Sequence, residues 1–537
     1  MENLRKYFSY MNLISRIDGK RKMKYSVLYC FCIYLFLISC SENIPENTLL
    51  QSINISISPD YSEITIPCNI APLNFNINET AQEYLTVIYS SKGNKIISKG
   101  KKVKIPVENW KKLLKENQGD TLYIEIYLKK EKQWLKYPAI CNYIAQETID
   151  DYISYRLIEP SYVTYENMSI NQRNLTNFDE KVIFSNRLLV EGDNEQCINC
   201  HSYKNYNQTG DWQFHVRQHY GGTVIVRDKA IQKINLKTDY TISAGVYPSW
   251  HPTENVIAYS TNKTGQKFHT RDIQKIEVMD TESDLIMYDL DKNEVSVIAN
   301  DSTKLETFPS WSSDGKFLYY TSADYPEGVN KASADFYSNY EKFHYNIYRK
   351  SFNPETKEFL STDTIFEASS YGKSATFPRE SPDGRYLLFT LGDYGNFHIW
   401  HKNSDLYLMD LKTFTYRALT ELNSSDADSY HSWSSNGRWI IFSSRRDDGS
   451  YTRLYIAYFK DGEACKPFIV PQNDPDFYGA FFKSYNIPEF MIKPVNVSPS
   501  RLASAIKKET LPAIYNSEKF NKKVVKQDTD DEDTIYD

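Results

Sequence analysis

Within the stretch EQCINCHSY, the residues Cys197, Cys200 and His201 fall in the spacing CxxCH. With 8 Cys and 9 His in 537 residues, roughly 0.002 such windows are expected by chance, so coincidence is a poor account of it. Two thiols three apart on one turn can form thioethers to the vinyl groups of a haem while the adjacent imidazole ligates the iron. A structural zinc site needs two further ligands; no second CxxC stands at zinc-ribbon spacing, and only His215 and His219 offer themselves nearby. A thioredoxin-like redox pair wants a buried strand in a βαβ setting, whereas the flank LLVEGDNEQ is polar. The expectation is one covalent haem c on Cys197 and Cys200, with His201 as an iron ligand.

The second ligand expected is His215. It follows His201 by only 14 residues, whereas Met168 lies 33 before and Met279 lies 78 after, and closing a short loop costs less chain entropy than closing a long one. Alternation in WQFHVRQH sets His215 on the face opposite Phe214 and Val216, while His219 adjoins the turn-like YGG and is expected in solvent.

Covalent haem attachment requires export, and residues 1–39 read as an export signal. Lys24 precedes the apolar run YSVLYCFCIYLFLIS, too short to span a bilayer comfortably but suited to a signal-peptide core. It ends in LISC, which resembles a bacterial lipobox with Cys40 as the lipidated first residue. A short transmembrane anchor is the other reading, and translation from Met23 would remove a polar extension. The residue after Cys40 is not Asp, which favours a lipid anchor at the outer membrane, on its periplasmic or surface face. Of the remaining cysteines, Cys68, Cys141 and Cys465 allow at most one bridge, with Cys68 and Cys141 the candidate pair. The chain carries a formal charge of −6, and loss of residues 1–39, with seven Lys/Arg and two Asp/Glu, leaves −11. Nucleic acid is therefore excluded as an expected partner.

The elements that must position these residues announce themselves as a repeat. YPSWHPTENVIAYSTN from Tyr247, FPSWSSDGKFLYYTSA from Phe308, FPRESPDGRYLLFTLG from Phe377 and YHSWSSNGRWIIFSSR from Tyr430 each join an aromatic opener, a polar turn and an apolar run of strand length. Alternating segments from Ser283 and Ser404 supply outer strands. The third copy has Arg379 and Glu380 where the others have Ser-Trp, and a long insertion runs from Ala323 to His344. The motif SWSSDGKFLYYTS with a downstream DLxxxDL resembles the WD-like repeat of TolB-type β-propellers. That resemblance implies an all-β fold over 221–500, with about six blades, or five, beginning at GGTVIVRDKAIQKINL and closed by KSYNIPEFMIKPVNV. Before it, period-2 runs such as TLYIEIYL predict a small β-sandwich over 45–145. A connector at 146–220 carries the CxxCH, its Glu166–Arg187 stretch reading as helix and loop, and an acidic tail at 501–537 is expected to be disordered.

With the propeller repeat, the stretch from NCHSY to FHVRQHYGGT resembles a group of exported proteins of Bacteroidota-type bacteria that join a single CxxCH to a TolB-like propeller. The resemblance implies architecture and location rather than an activity. The nucleophile elbow GxSxG and the zincin HExxH are absent, GKS at Gly372–Ser374 lacks the upstream glycine of a phosphate loop, and Asp447–Asp448 read as turn residues. The expectation leans away from an enzyme. Three function classes remain: electron transfer or redox-linked binding of a protein partner on a propeller face, a protein- or glycan-binding propeller, and a haem-dependent redox enzyme. The last needs three of His251, His269, His344, His398, His401 and His431 to converge on a second cofactor.

Overall fold

The computed structural model describes residues 44–159, 167–191, 196–269, 271, 274, 276–329, 335–516 and 534–536. The expected signal segment and Cys40 lie outside the described residues.

Strict alternation in Thr121–Lys130 buries Leu122, Ile124, Ile126 and Leu128 on one face. This strand sits inside a seven-stranded sheet with Thr48–Leu50, Thr65–Ile66, Glu83–Tyr89, Ile96–Lys99, Gln133–Lys136 and Ile140–Ile144. A three-stranded sheet of Ile57–Ser58, Phe75–Ile77 and Lys102–Val103 shares its core. The two sheets make the expected sandwich, and the helix Val107–Glu116 adds Trp110, Leu113 and Leu114 to the same core, at helical i, i+3, i+4 spacing. Cys68 and Cys141 carry free thiols, the first buried and the second exposed.

The rest is a six-bladed propeller. Six antiparallel sheets surround an axis, and their innermost strands, Ser484–Met491, Ile198–Tyr203, Val246–Trp250, Lys304–Trp311, Ser374–Glu380 and Asp428–Trp433, lie side by side in a closed ring. We number the blades I to VI in that order. Blade I takes its inner strand from near the C-terminus and its other three, Tyr152–Ile158, Ser169–Asn174 and Glu180–Ser185, from the segment after the sandwich. Closure by the 483–497 segment thus occurs as expected. It leaves no blade edge open between first and last strands.

Three boundaries differ from the sequence reading. The propeller starts at Tyr152 rather than at 221, and the described residues of the expected connector are largely blade strands: Tyr152–Ile158, Ser169–Asn174 and Glu180–Ser185 belong to blade I, and Ile198–Tyr203 and Trp212–Val216 to blade II. The Glu166–Arg187 stretch, expected as helix and loop, is mostly two strands, because Ile170, Ile183 and Phe184 bury themselves in the core between blades I and II. The described residues past 501, 502–516 and 534–536, also include regular structure. Pro499–Ile506 is a helix whose first turn is capped by the Ser498 hydroxyl, accepting from the Arg501 N–H. Its Leu502 and Ile506 join the same core. Leu511–Pro512 and Ile514–Tyr515 then pair with the outer strands of blades II and III, and 534–536 pair with Gln266–Phe268. Residues 499–516 hold Arg501, Lys507 and Lys508 against Glu509, so this stretch is not acidic, and open sheet edges accept a further strand.

Candidate functional site

Each inner strand carries a bulge at one residue held in the left-handed region: Ile487, Cys200, Tyr247, Phe308, Phe377 and Tyr430, all with φ between 49° and 53°. Non-glycine residues adopt this conformation at a cost, so its sixfold recurrence marks a shared construction. Aligned on the bulge, the six inner strands read Cys200-His201-Ser202-Tyr203, Tyr247-Pro248-Ser249-Trp250, Phe308-Pro309-Ser310-Trp311, Phe377-Pro378-Arg379-Glu380, Tyr430-His431-Ser432-Trp433 and Ile487-Pro488-Glu489-Phe490. The CxxCH therefore lies on a strand rather than on one helical turn, and CHSY is a copy of the propeller repeat.

Every position of the repeat has a job. The first residues close the central channel: ring centroids are 4.7 Å apart for Tyr247–Phe308, 4.1 Å for Phe308–Phe377 and 4.9 Å for Phe377–Tyr430. Cys200 completes this ring beside Tyr247 and Tyr430, and burial pushes its thiol up. The fourth residues tie blades together. Trp250 Nε1 donates to Ser202 O at 3.3 Å, and Trp433 Nε1 donates to Arg379 O at 3.1 Å. Trp250, Trp311 and Trp433 are all buried at equivalent places. In blade V the fourth residue is Glu380, whose carboxylate instead accepts from Ser313 N at 2.9 Å and Ser313 Oγ at 2.8 Å. A polar tie replaces the missing tryptophan.

Above the plug, second, third and fourth residues wall a cavity of about 350 Å³ at one mouth of the channel. The third position is Ser in four blades, Arg379 in blade V and Glu489 in blade I. Arg379 Nη1 donates to Ser310 Oγ at 3.4 Å. Glu489 is pushed up to about 7 by burial, against the opposing pull of Arg379 and of the Tyr203 main chain. Burial in turn lowers Arg379, with Glu489 working against it. Both side chains lie deep in the molecule yet keep some exposure, which is to the cavity they line.

The second position is Pro in four blades, His201 in blade II and His431 in blade VI. His431 Nε2 bonds Leu388 O at 3.1 Å. His201 is 1% exposed, and neither of its ring nitrogens has a hydrogen-bond partner of good geometry. Burial first, then the nearby Arg156, pushes it down to about 3.

A covalent haem would need both sulfurs and the His201 imidazole at one macrocycle. As folded, Cys197 packs with Met168, Ile198 and Phe214 in the core between blades I and II, while Cys200 belongs to the channel ring. Both thiols are 2% exposed. The two sulfurs thus lie in two separately packed environments, so the residues as packed do not fit the group. His215 pairs across the ladder with Asn199 rather than with His201, and its Nδ1 meets Thr223 Oγ1 at 3.3 Å. His219 is exposed, as expected. Among the described residues no group of three or more His, Cys, Asp or Glu could hold a metal ion, and the six propeller histidines do not converge. His401 Nε2 instead bonds Glu277 Oε1 at 2.9 Å, and His251 Nε2 bonds Gly315 O at 2.9 Å.

No family model and no curated protein matches the chain. Among solved structures it is similar to the oligogalacturonate lyase of Vibrio parahaemolyticus, at 12% identity over 76% of this chain and 98% of that one, with a TM-score of 0.29. It is also similar to prolyl oligopeptidase B of Galerina marginata, at 10% identity and a TM-score of 0.30, covering 52% of this chain and 37% of that enzyme's length. The tricorn protease matches at 12% identity and a TM-score of 0.31, over 66% of this chain and 33% of that one.

Proposed function

We propose that this protein is an exported, lipid-anchored binding propeller whose ligand sits in the sixfold cavity. The observation that carries the reading is the cavity itself: a concave site walled by aromatic and proline side chains, with a few polar groups converging on it, is the usual construction of a small-molecule pocket. The walls belong to six different blades, so their geometry is fixed by the closed ring. An electron-transfer role through haem at Cys197, Cys200 and His201 is set aside in favour of this reading, because the two thiols are buried in separate packed environments. The lipid anchor rests on LISC at Cys40; Cys40→Ser is expected to release the protein from membranes or block its processing, and unchanged retention and size would remove that part of the proposal.

The test is a thermal-shift panel of amino acids, small peptides, monosaccharides and uronic acids on wild type and on Ser432→Trp, which fills the cavity. At least one class is expected to raise the Tm of wild type and not of the variant. A panel without effect on either protein overturns the reading. So does a haem spectrum that survives acid-acetone extraction after expression with a haem-maturation system.

A further inference from the structure

The third position of the repeat is Ser in four blades and charged in two, and the two charges have opposite sign. Arg379 and Glu489 stand on blades V and I with Ser432 of blade VI between them. They are close enough to influence each other's proton affinity. Yet no ion pair within 4 Å joins them among the described residues, and the contact of Arg379 with a side chain is a long one, to Ser310 Oγ at 3.4 Å. Hydrogen bonds offset the desolvation of a buried charge; Glu489 has the Tyr203 main chain and Arg379 the long bond to Ser310, and neither has the other. Packing does not require charge here, since serine serves at the same position in blades II, III, IV and VI.

Resting on the binding reading above, we infer that the cavity recognises a small zwitterion of the α-amino acid or shortest-peptide class, its carboxylate on Arg379 and its ammonium on Glu489. A guanidinium presents a fork that matches a carboxylate, and an ammonium donates to a carboxylate in a charge-assisted bond. One ligand with both groups a few bonds apart bridges the gap that the two side chains leave. The volume of about 350 Å³ lies at the small end of ligand pockets, which suits a molecule of this size. The serine hydroxyls beside the charges can satisfy the remaining polar atoms of such a ligand.

The experiment is calorimetric titration of wild type with each of the twenty L-amino acids and with L-alanyl-L-alanine, then with the N-acetyl and the amide derivatives of the tightest binder. A binder is expected, and each derivative, lacking one charge, should bind at least tenfold more weakly. Arg379→Gln should abolish the difference between the zwitterion and its amide, and Glu489→Gln that between the zwitterion and its N-acetyl form. If every amino acid and the dipeptide fail while a sugar or uronic acid binds and Ser432→Trp blocks it, the zwitterion inference falls and the binding reading stands. If nothing binds, both fall. Derivatives that bind as tightly as the parent also overturn the inference, and that arm uses wild type alone, so it does not depend on the folding of any variant.

Discussion

At position 201 the propeller holds a histidine where four equivalent strands hold proline, at Pro248, Pro309, Pro378 and Pro488. Those prolines show that the backbone there needs no N–H donor and tolerates a φ near −65°. His201 also buries two ring nitrogens without well-aligned partners, and an unsatisfied buried polar group costs about 1–3 kcal/mol. His201→Pro is therefore expected to keep the fold and to leave the Tm unchanged or a few degrees higher. Loss of soluble folded protein in that variant would mean that His201 has a role the repeat does not explain. CxxCH is improbable by composition, and one of its three residues, His201, also falls on a repeat position by residue type, with His431 its counterpart; the alignment that reveals this needs the bulge, which leaves no mark in hydrophobic periodicity. Arg379 was visible as a departure from Ser-Trp; Glu489 was not, because IPEF shares only its proline with YPSW.

Strands were more legible than boundaries. The four copies with Trp or Glu at the fourth position are blades III to VI, and the alternation in TLYIEIYL is the central strand of the sandwich. Blades I and II were legible only in part, as the GGTVIVRDKAIQKINL hairpin and the closing 483–497 segment, because their inner strands lack the aromatic opener, offering Ile487 and Cys200 instead, and because blade I is assembled from segments more than 300 residues apart. That assembly makes a prediction. Ending the chain at residue 483 removes the inner strand of blade I, leaves Tyr152–Ile158 as an unpaired edge and uncovers Tyr155, which packs on Tyr485 at 4.9 Å. An exposed inner edge invites association with other chains, so the truncated protein should be aggregated or unfolded, whereas wild type sediments as a folded species. A cooperative unfolding transition of the truncated chain, within a few degrees of wild type, would show that closure contributes little. Within one blade, Trp433→Ala should cost about 3–5 kcal/mol, since the ring is buried, packs on Phe459 at 4.9 Å and donates to Arg379 O; a loss below 1 kcal/mol in chemical denaturation would count against the inter-blade tie.

Over the whole molecule, two sets of buried groups respond to acid in opposite senses. Burial pushes His201, His215, His398 and His431 each down to about 3. Their unfolded forms take up protons below about 6.5 while the folded forms do not, so each histidine costs stability as pH falls from there towards 3. Burial raises Glu489 and Glu306 to about 7, and Asp280 and Asp405 to about 6. For these the folded state takes up the proton first, so each contributes stability as pH falls from its folded value to the ordinary carboxyl range near 4. Between about pH 6.5 and 4.5 the two sets oppose each other, four groups against four, with slopes of at most about 1.4 kcal/mol per pH unit for each group. Below about 4 the carboxyls are protonated in both states and drop out, leaving the histidines unopposed. Carboxylates held low, such as Asp291, which against burial is kept down by hydrogen bonds from Asn255 and then Arg227, then lose their contribution as well. Urea midpoints measured from pH 8 to pH 3 should thus change little between 6.5 and 4.5 and fall steeply below 4. Glu489→Gln separates one strand of this argument: above pH 7 it removes a buried carboxylate and should stabilise the protein, while near pH 4, where wild type is already protonated at that position, its effect should vanish. A variant equally stable relative to wild type at both pH values would show that residue 489 is not held against its ionisation, and the opposition between the two sets would lose one of its members.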